Sequence, residues 1–212
     1  MVDKEKNAYK GVTIMFNIGD KVVYPMHGAG VIQDIEEKNI LGEKTSYYII
    51  KMPGEVKVMV PTSKAKEMGV RDIINGETAS KVFKVLETNC TEMSMNWNKR
   101  YRDNMEKMKS GDIYEIADVV RNLSFKQKEK GLSTGEKKML INAKQILVSE
   151  LTLAENSQKE QIEEEVETKI NQSFEEYNGT EGNITEENGT VNKLIKSHEV
   201  ILGSNLIFLI FV

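Results

Sequence analysis

The apolar residues between positions 16 and 61 occur in short runs, and glycines and prolines lie between those runs. This pattern predicts β-strands that are joined by tight turns. The predicted strands cover residues 21–24, 30–37, 47–52 and 56–60. A parallel sheet with crossover helices is not expected, because no helical run separates these strands. We therefore predict a small and strongly bent sheet or barrel.

Beyond Pro61 the apolar residues recur every three or four positions, which is the period of amphipathic helices. Helices are predicted over residues 78–88, 96–109 and 112–131, and a fourth helix begins at Ser133. Ser133 and Glu136 have the spacing of a capping box, in which each side chain satisfies a free backbone amide of the other residue. These helices predict a compact all-α domain after the β domain, so the predicted fold class is α+β.

Both ends of the chain are predicted to be disordered. Residues 1–14 are polar and lysine-rich, and residues 156–212 form an acidic tail whose glutamate-rich run lacks a useful apolar period. Such a tail buries too little apolar surface to offset the entropy lost on ordering. The predicted domains are therefore a β domain over residues 15–62 and a helical domain over residues 63–155.

The net charge of −4 is unevenly distributed along the chain. Residues 93–151 carry 12 basic and 8 acidic residues, whereas residues 152–192 carry 2 basic and 11 acidic residues. A basic region beside an acidic tail is compatible with nucleic-acid binding that the tail screens or regulates. The alternative is that these basic residues simply form a solvated helical face. Taken alone, the small excess of basic residues in 93–151 favours this alternative.

Few residues are candidates for catalysis or metal binding. The single cysteine, Cys90, excludes an internal disulfide and a multi-cysteine zinc site. The sequence has no nucleophile elbow and no His-Glu-x-x-His helix, and residues 131–137 lack the spacing of a P-loop. We therefore predict no enzymatic activity, no cofactor and no metal. The first residues contain no apolar stretch of a signal peptide, so we expect a cytoplasmic protein without a membrane segment.

The chain has one tryptophan, Trp97, and three cations follow it at Lys99, Arg100 and Arg102. An aromatic side chain beside cations is suited to opening a nucleic-acid step while its phosphates are held. However, Trp97 also begins a stripe of apolar residues at helical spacing, which is typical of a bundle core. The residues alone leave both interpretations open.

Four segments in this order resemble the CarD family of bacterial transcription regulators. They are residues 16–30 (FNIGDKVVYPMHGAG), 70–72 (VRD), 96–101 (NWNKRY) and 131–137 (GLSTGEK). The resemblance covers about residues 15–155. It implies a Tudor-like β-barrel domain that docks on the β subunit of RNA polymerase. It also implies a helical domain that touches promoter DNA near the upstream edge of the transcription bubble and stabilises the open complex.

The resemblance also implies roles for individual residues. Trp97 is expected to wedge into the minor groove without sequence-specific readout. We also expect the protein to be a monomer. The resemblance gives Lys99, Arg100 and Arg102 as contacts to the DNA backbone, and Asn98 is expected to bind DNA beside them. Lys137 is a further expected contact, because the start of a lysine-rich helix can bind a phosphate. An ordinary capped helix with exposed lysines is the alternative at Lys137. The expected polymerase-binding residues are Lys38, Lys51 and Lys57. The alternative function is a Tudor-like protein-interaction adaptor that has no DNA role.

Overall fold

Seven strands and five helices lie in the part of the chain that this computed structural model describes, namely residues 8–9, 12–13, 15–40 and 43–178. The strands are β1 (Ala8–Tyr9), β2 (Val12–Thr13), β3 (Lys21–Tyr24), β4 (Gly28–Ile40), β5 (Glu43–Lys51), β6 (Lys57–Pro61) and β7 (Arg71–Asp72). The helices are α1 (Gly76–Leu86), α2 (Trp97–Ser110), α3 (Ile113–Glu129), α4 (Thr134–Glu155) and α5 (159–178), and a 3₁₀ turn covers Pro53–Glu55.

An antiparallel sheet in the order β6-β5-β4-β3-β7 forms the first domain. Its core contains Phe16, Val22 and Tyr48, and the Tyr48 hydroxyl accepts a hydrogen bond from the backbone amide of Phe16 at 3.1 Å. The predicted closed barrel is wrong, because β6 and β7 are the two edges of this sheet and do not pair. Residues 62–69 form turns between these edges, and β7 is only two residues long. The sheet therefore extends past the predicted domain boundary at residue 62.

Strands β1 and β2 pair antiparallel with each other. The prediction that residues 1–14 are disordered is therefore wrong for residues 8–9 and 12–13. Tyr9, Val12 and Thr13 are residue types that favour strands, and this local preference outweighs the polar composition of the segment. The other residues of this extension lie outside the described residues.

The predicted helices of the second domain are confirmed, with bounds that differ by a few residues. Side chains cap four of them, since Asn75, Asn96, Asp112 and Ser133 each accept a hydrogen bond from a backbone amide in the first turn. The capping box of Ser133 and Glu136 is present with both of its hydrogen bonds. The Ser133 cap begins α4 where the sequence predicts it, and α3 and α4 supply most of the buried core.

Helix α5 corrects the prediction of a tail that is disordered from residue 156. Ile162, Val166 and Ile170 are buried against the helical core, and the Ser173 hydroxyl donates to the carbonyl of Thr88 at 3.0 Å. These buried positions are four, four and three residues apart, which places them on one helical face. The apolar stripe is sufficient to fold this segment although most of its other positions are polar. Residues 179–212 of the predicted tail lie outside the described residues.

The two domains meet at a buried junction. Arg71 of β7 donates two hydrogen bonds to the Glu150 carboxylate of α4, at 2.6 and 2.9 Å, and a third to the carbonyl of Gly111 at 2.8 Å. Beside this ion pair, Gly28 lies so close to α4 that a Cβ atom would be 2.5 Å from the Ser149 hydroxyl. The same hydroxyl accepts from the backbone amide of Ala29 at 2.8 Å. These contacts hold the sheet domain and the helical domain in one relative orientation.

Candidate nucleic-acid interface

Trp97 lies at the first position of α2, and its ring rests on the start of α4. The side chain is 44% exposed, and its indole Nε1 donates a hydrogen bond to the Ser133 hydroxyl at 2.9 Å. The ring stacks on Tyr101 with centroids 5.5 Å apart and an interplanar angle of 28°. Trp97 is therefore not a core residue, whereas Met108 of the same apolar stripe is fully buried. The structure favours an aromatic side chain that is presented at the surface.

Asn98, Lys99 and Arg102 are exposed on the outward face of α2. At about 100° per residue, Lys99 and Arg102 lie about 180° and 120° around the helix from Met108, and Asn98 lies about 80° from it, whereas Trp97 is on the Met108 side. Lys137 is exposed on the first turn of α4, the turn whose cap residue bonds Trp97. We refer to Trp97, Asn98, Lys99, Arg102 and Lys137 together as the wedge surface. Within the described residues, its three cations form no ion pair, so they are available to an anionic partner.

Arg100 does not belong to this surface, which corrects the expectation that it contacts the DNA backbone. The residue is 8% exposed, and its Nε donates to the buried Glu136 carboxylate at 2.8 Å. Its Nη1 donates to the carbonyls of Ser94 and Met95 at 2.7 and 3.3 Å. Its spacing of four from the buried Asn104 is the sequence signal that places it on the inner face. Arg100 therefore supports the segment that presents Trp97.

The Glu136 carboxylate remains ionised at neutral pH. Burial raises the pKa of this group, but hydrogen bonds from the Ser133 backbone and the Arg100 side chain outweigh that effect and lower the pKa from its ordinary value of 4.5. The carboxylate also accepts from the Ser133 amide at 3.0 Å and from its hydroxyl at 2.8 Å. The start of α4 is thus tied to the inner side of α2 by a buried charge.

A second buried polar cluster holds the segment between α1 and α2. Arg121 of α3 pairs with Asp118, and its Nη1 donates to the carbonyl of Val85 at 2.9 Å. The side-chain amide of Asn122 donates to the Thr91 hydroxyl at 2.7 Å. Lys107 of α2 donates to Asp118 at 2.5 Å. Burial lowers the pKa of Lys107, but the carboxylates of Asp118 and Glu115 together raise it above its ordinary value. Asp118, Arg121 and Asn122 share α3, but sequence reasoning missed the cluster because only the fold brings Lys107 of α2 and Thr91 of the preceding segment to them.

The three lysines that were expected to bind polymerase do not lie together. Lys51 and Lys57 are opposite each other on β5 and β6, whereas Lys38 pairs with Thr45 near the other end of β4. The register places Lys38 roughly 20 Å along the sheet from the other two lysines, at about 3.3 Å per residue. Glu36 and Glu55 neutralise Lys38 and Lys51 at 2.9 and 2.8 Å. Only Lys57, on the exposed edge strand, forms no ion pair among the described residues.

The described residues contain neither a candidate metal-binding cluster nor a candidate membrane-spanning helix. Among residues 8–9, 12–13, 15–40 and 43–178, no group of three or more His, Cys, Asp or Glu side chains is arranged to hold a metal ion. Within the same ranges, no helix is both long and apolar enough to cross a bilayer.

Comparison with known proteins gives a match for each domain. The family model "CarD-like/TRCF RID domain" matches residues 16–74, and the model "CarD, C-terminal domain" matches residues 81–167. The chain is also similar to the Bacillus subtilis (strain 168) protein named "Putative transcription factor YdeB". The two are 42% identical over 149 residues, which is 70% of this chain and 97% of that protein. The C-terminal model covers the whole of the wedge surface.

Proposed function

Because the chain belongs to the CarD family of transcription regulators, we propose that it stabilises the open promoter complex. In this proposal the sheet domain binds the β subunit of RNA polymerase. The wedge surface binds promoter DNA at the upstream edge of the bubble. The observation that carries the proposal is Trp97 itself, which is half-exposed at the start of α2, a helix whose exposed Lys99 and Arg102 have no ion-pair partner among the described residues.

The side chains of the wedge surface have different roles in this proposal, because their chemistry differs. An aromatic ring inserts between unstacked bases and gains stacking energy that is insensitive to sequence. Lys99, Arg102 and Lys137 attract phosphates, and the amino end of α4 adds a favourable partial positive charge. The exposed Asn98 offers a side-chain amide to the sugar-phosphate backbone. This combination binds DNA by its shape and deformability rather than by its base sequence.

The polymerase contact is proposed for the β6 edge of the sheet. An edge strand presents unpaired backbone groups that can extend another sheet. Lys57 and the half-exposed Met59 lie on this edge, and Lys51 lies on the strand beside it. Lys38 is proposed as a separate contact, because the register places it at the other end of the sheet.

The effect on transcription follows from simple linkage. Attachment to polymerase raises the local concentration of the wedge surface at the promoter, so a weak DNA contact is sufficient. If the wedge fits melted DNA better than duplex DNA, binding shifts the equilibrium from the closed to the open complex. A differential affinity of about 1–2 kcal/mol changes the open population by roughly fivefold to thirtyfold. The direction of the net effect then depends on which step limits a promoter.

A promoter-melting assay tests this proposal. A fluorescent base analogue placed in the bubble region reports the open fraction with polymerase alone and after addition of the protein. The proposal predicts an increased open fraction at a promoter whose open state is sparsely populated. An unchanged open fraction, together with retained polymerase binding, would instead support the adaptor without a DNA role.

A further inference from the structure

We propose that Ser133 is a positioning residue that sets the orientation of the Trp97 ring; this inference rests on the proposed function. The hydroxyl of Ser133 accepts the indole hydrogen bond at 2.9 Å, across a separation of 36 residues in sequence. Ser133 is also the cap of α4, so its hydroxyl has two roles: it caps the helix and it binds the indole. As a cap, the Ser133 hydroxyl accepts from the Glu136 backbone amide, and this role does not involve the indole.

The Ser133 hydroxyl is fixed by its other hydrogen bonds. It donates its proton to the Glu136 carboxylate at 2.8 Å and accepts from the Glu136 amide at 3.3 Å. Glu136 is 1% exposed and is bonded to Arg100. Because the donor direction of the hydroxyl is occupied, only an acceptor direction is left for Trp97. The orientation of the free lone pair on the Ser133 hydroxyl oxygen therefore determines the direction of the indole N–H.

The same carboxylate also fixes the chain that leads into Trp97. Arg100 bonds Glu136 through Nε and the carbonyl of Ser94 through Nη1. A closed circuit of contacts therefore runs from Ser94 through Arg100, Glu136 and Ser133 to the Trp97 ring. The buried Glu136 carboxylate therefore holds the backbone before Trp97 through Arg100, and it holds the indole Nε1 of the ring through Ser133. Tyr101 stacks against the ring as an additional support.

Orientation matters because a free side chain loses rotamer freedom when it binds. A ring that is already held in the binding orientation has lost this freedom before DNA arrives. If only a fraction of molecules present the competent orientation, the apparent affinity falls by that fraction. A single neutral hydrogen bond changes such a population by roughly twofold to tenfold. We expect the same factor in the lifetime of the open complex.

The first measurement uses the fluorescence of the ring itself in the full chain without polymerase. The chain has one tryptophan, so its emission reports Trp97 only. Ser133→Ala and Ser133→Gly remove the hydroxyl, and Gly retains most of the capping preference. Both variants should lower the steady-state anisotropy and increase quenching by acrylamide. Ser133→Thr, which keeps a hydroxyl, should restore both values.

A matched control is available at the cap of α1. Asn75 accepts from the backbone amide of Thr78 at 2.8 Å and lies on a different helix from the ring and its acceptor. Asn75→Ala therefore removes a helix cap without removing a hydrogen bond to Trp97. If Ser133→Ala and Ser133→Gly change the emission no more than Asn75→Ala does, Ser133 does not hold the ring and the inference is wrong.

The second measurement is the open-complex lifetime with RNA polymerase and the same variants. The inference predicts a twofold to tenfold shorter lifetime for Ser133→Gly, recovery with Ser133→Thr, and no change with Asn75→Ala. A freed ring with a normal or longer lifetime would overturn the positioning role. If Trp97→Ala leaves the lifetime unchanged, the proposed function fails. Fluorescence would then still decide separately whether Ser133 holds the ring.

Discussion

Arg71 and Glu150 form a two-pronged ion pair across the junction of the two domains, with N–O distances of 2.6 and 2.9 Å. Glu150 is fully buried, whereas the Arg71 side chain is about one third exposed. The Glu150 carboxylate also accepts from the backbone amide of Ile74 at 3.1 Å, in the segment that leads to α1. The pair thereby connects the proposed polymerase-binding sheet to the helix whose start supports Trp97.

Replacing Arg71 with alanine should destabilise the protein by roughly 3 kcal/mol, because it leaves a buried carboxylate without its partner. Chemical denaturation of the full chain measures this loss. Lys81→Ala is the matched control, since it breaks an exposed pair with Glu77 that contributes only about 0.5 kcal/mol or less. Equal effects of the two substitutions would show that the junction does not depend on this ion pair.

The stabilisation by Glu136 should depend on pH in a defined direction. The pKa of this group is lowered in the folded protein, so its contribution is complete above the ordinary value of 4.5 and is lost as the pH falls through the folded value. At pH 7, Glu136→Gln should cost roughly 3 kcal/mol, because the Arg100 charge loses its buried partner.

Unfolding free energies of wild type and Glu136→Gln, measured between pH 7 and pH 3, test this expectation. The difference between the two proteins should narrow as the pH falls below 4.5. At pH 7 the exposed Glu164→Gln should differ from wild type by only about 0.5 kcal/mol. A constant difference for Glu136→Gln down to pH 3 would contradict the ionised Arg100–Glu136 pair.

The elements that were predicted well are those with local signals. The capping box at Ser133 and the apolar periods of α1 to α4 depend on residues within a few positions of one another. That the sheet is open could not be predicted in the same way. A barrel closes only if β6 pairs with β7 across the intervening turns, and this depends on the folded distance between the two strands. The sequence shows the turn residues but not the distance between these two edges.

Helix α5 shows how composition can conceal a periodic pattern. Glutamates dominate residues 160–167, yet Ile162 and Val166 lie four residues apart and both are buried. Together with the buried Ile170 they form an apolar stripe at helical spacing, which the average composition of the segment does not show. The error about Arg100 has a different origin, since its partner Glu136 is 36 residues away and only the fold brings them together.

Ile170→Ala should destabilise the protein by about 2–4 kcal/mol, because the side chain is fully buried against the helical core. The exposed Thr168→Ala, on the same helix, should change the stability by no more than about 0.5 kcal/mol. Denaturant midpoints of the two variants compare them directly. If both variants unfold like wild type, α5 does not contribute to the folded core.

Neutralising cations of the wedge surface should reduce the salt dependence of DNA binding. Each phosphate contact contributes about 0.9 to the slope of log K against log salt, so Lys99→Gln and Arg102→Gln should each lower its magnitude by about 1. Lys84→Gln on the exposed face of α1 should leave the slope unchanged. Equal slopes for all three variants would remove the wedge surface from the DNA contact and favour the adaptor function.

The lifetime of the open promoter complex, measured with Trp97→Ala, tests the central claim most directly. Ile141→Ala is the matched control, because Ile141 is a 59% exposed apolar residue of the same domain outside the wedge surface. We predict that Trp97→Ala folds and still binds polymerase, but shortens the lifetime by about fivefold to thirtyfold, whereas Ile141→Ala does not. A lifetime that Trp97→Ala leaves at the wild-type value would contradict the account.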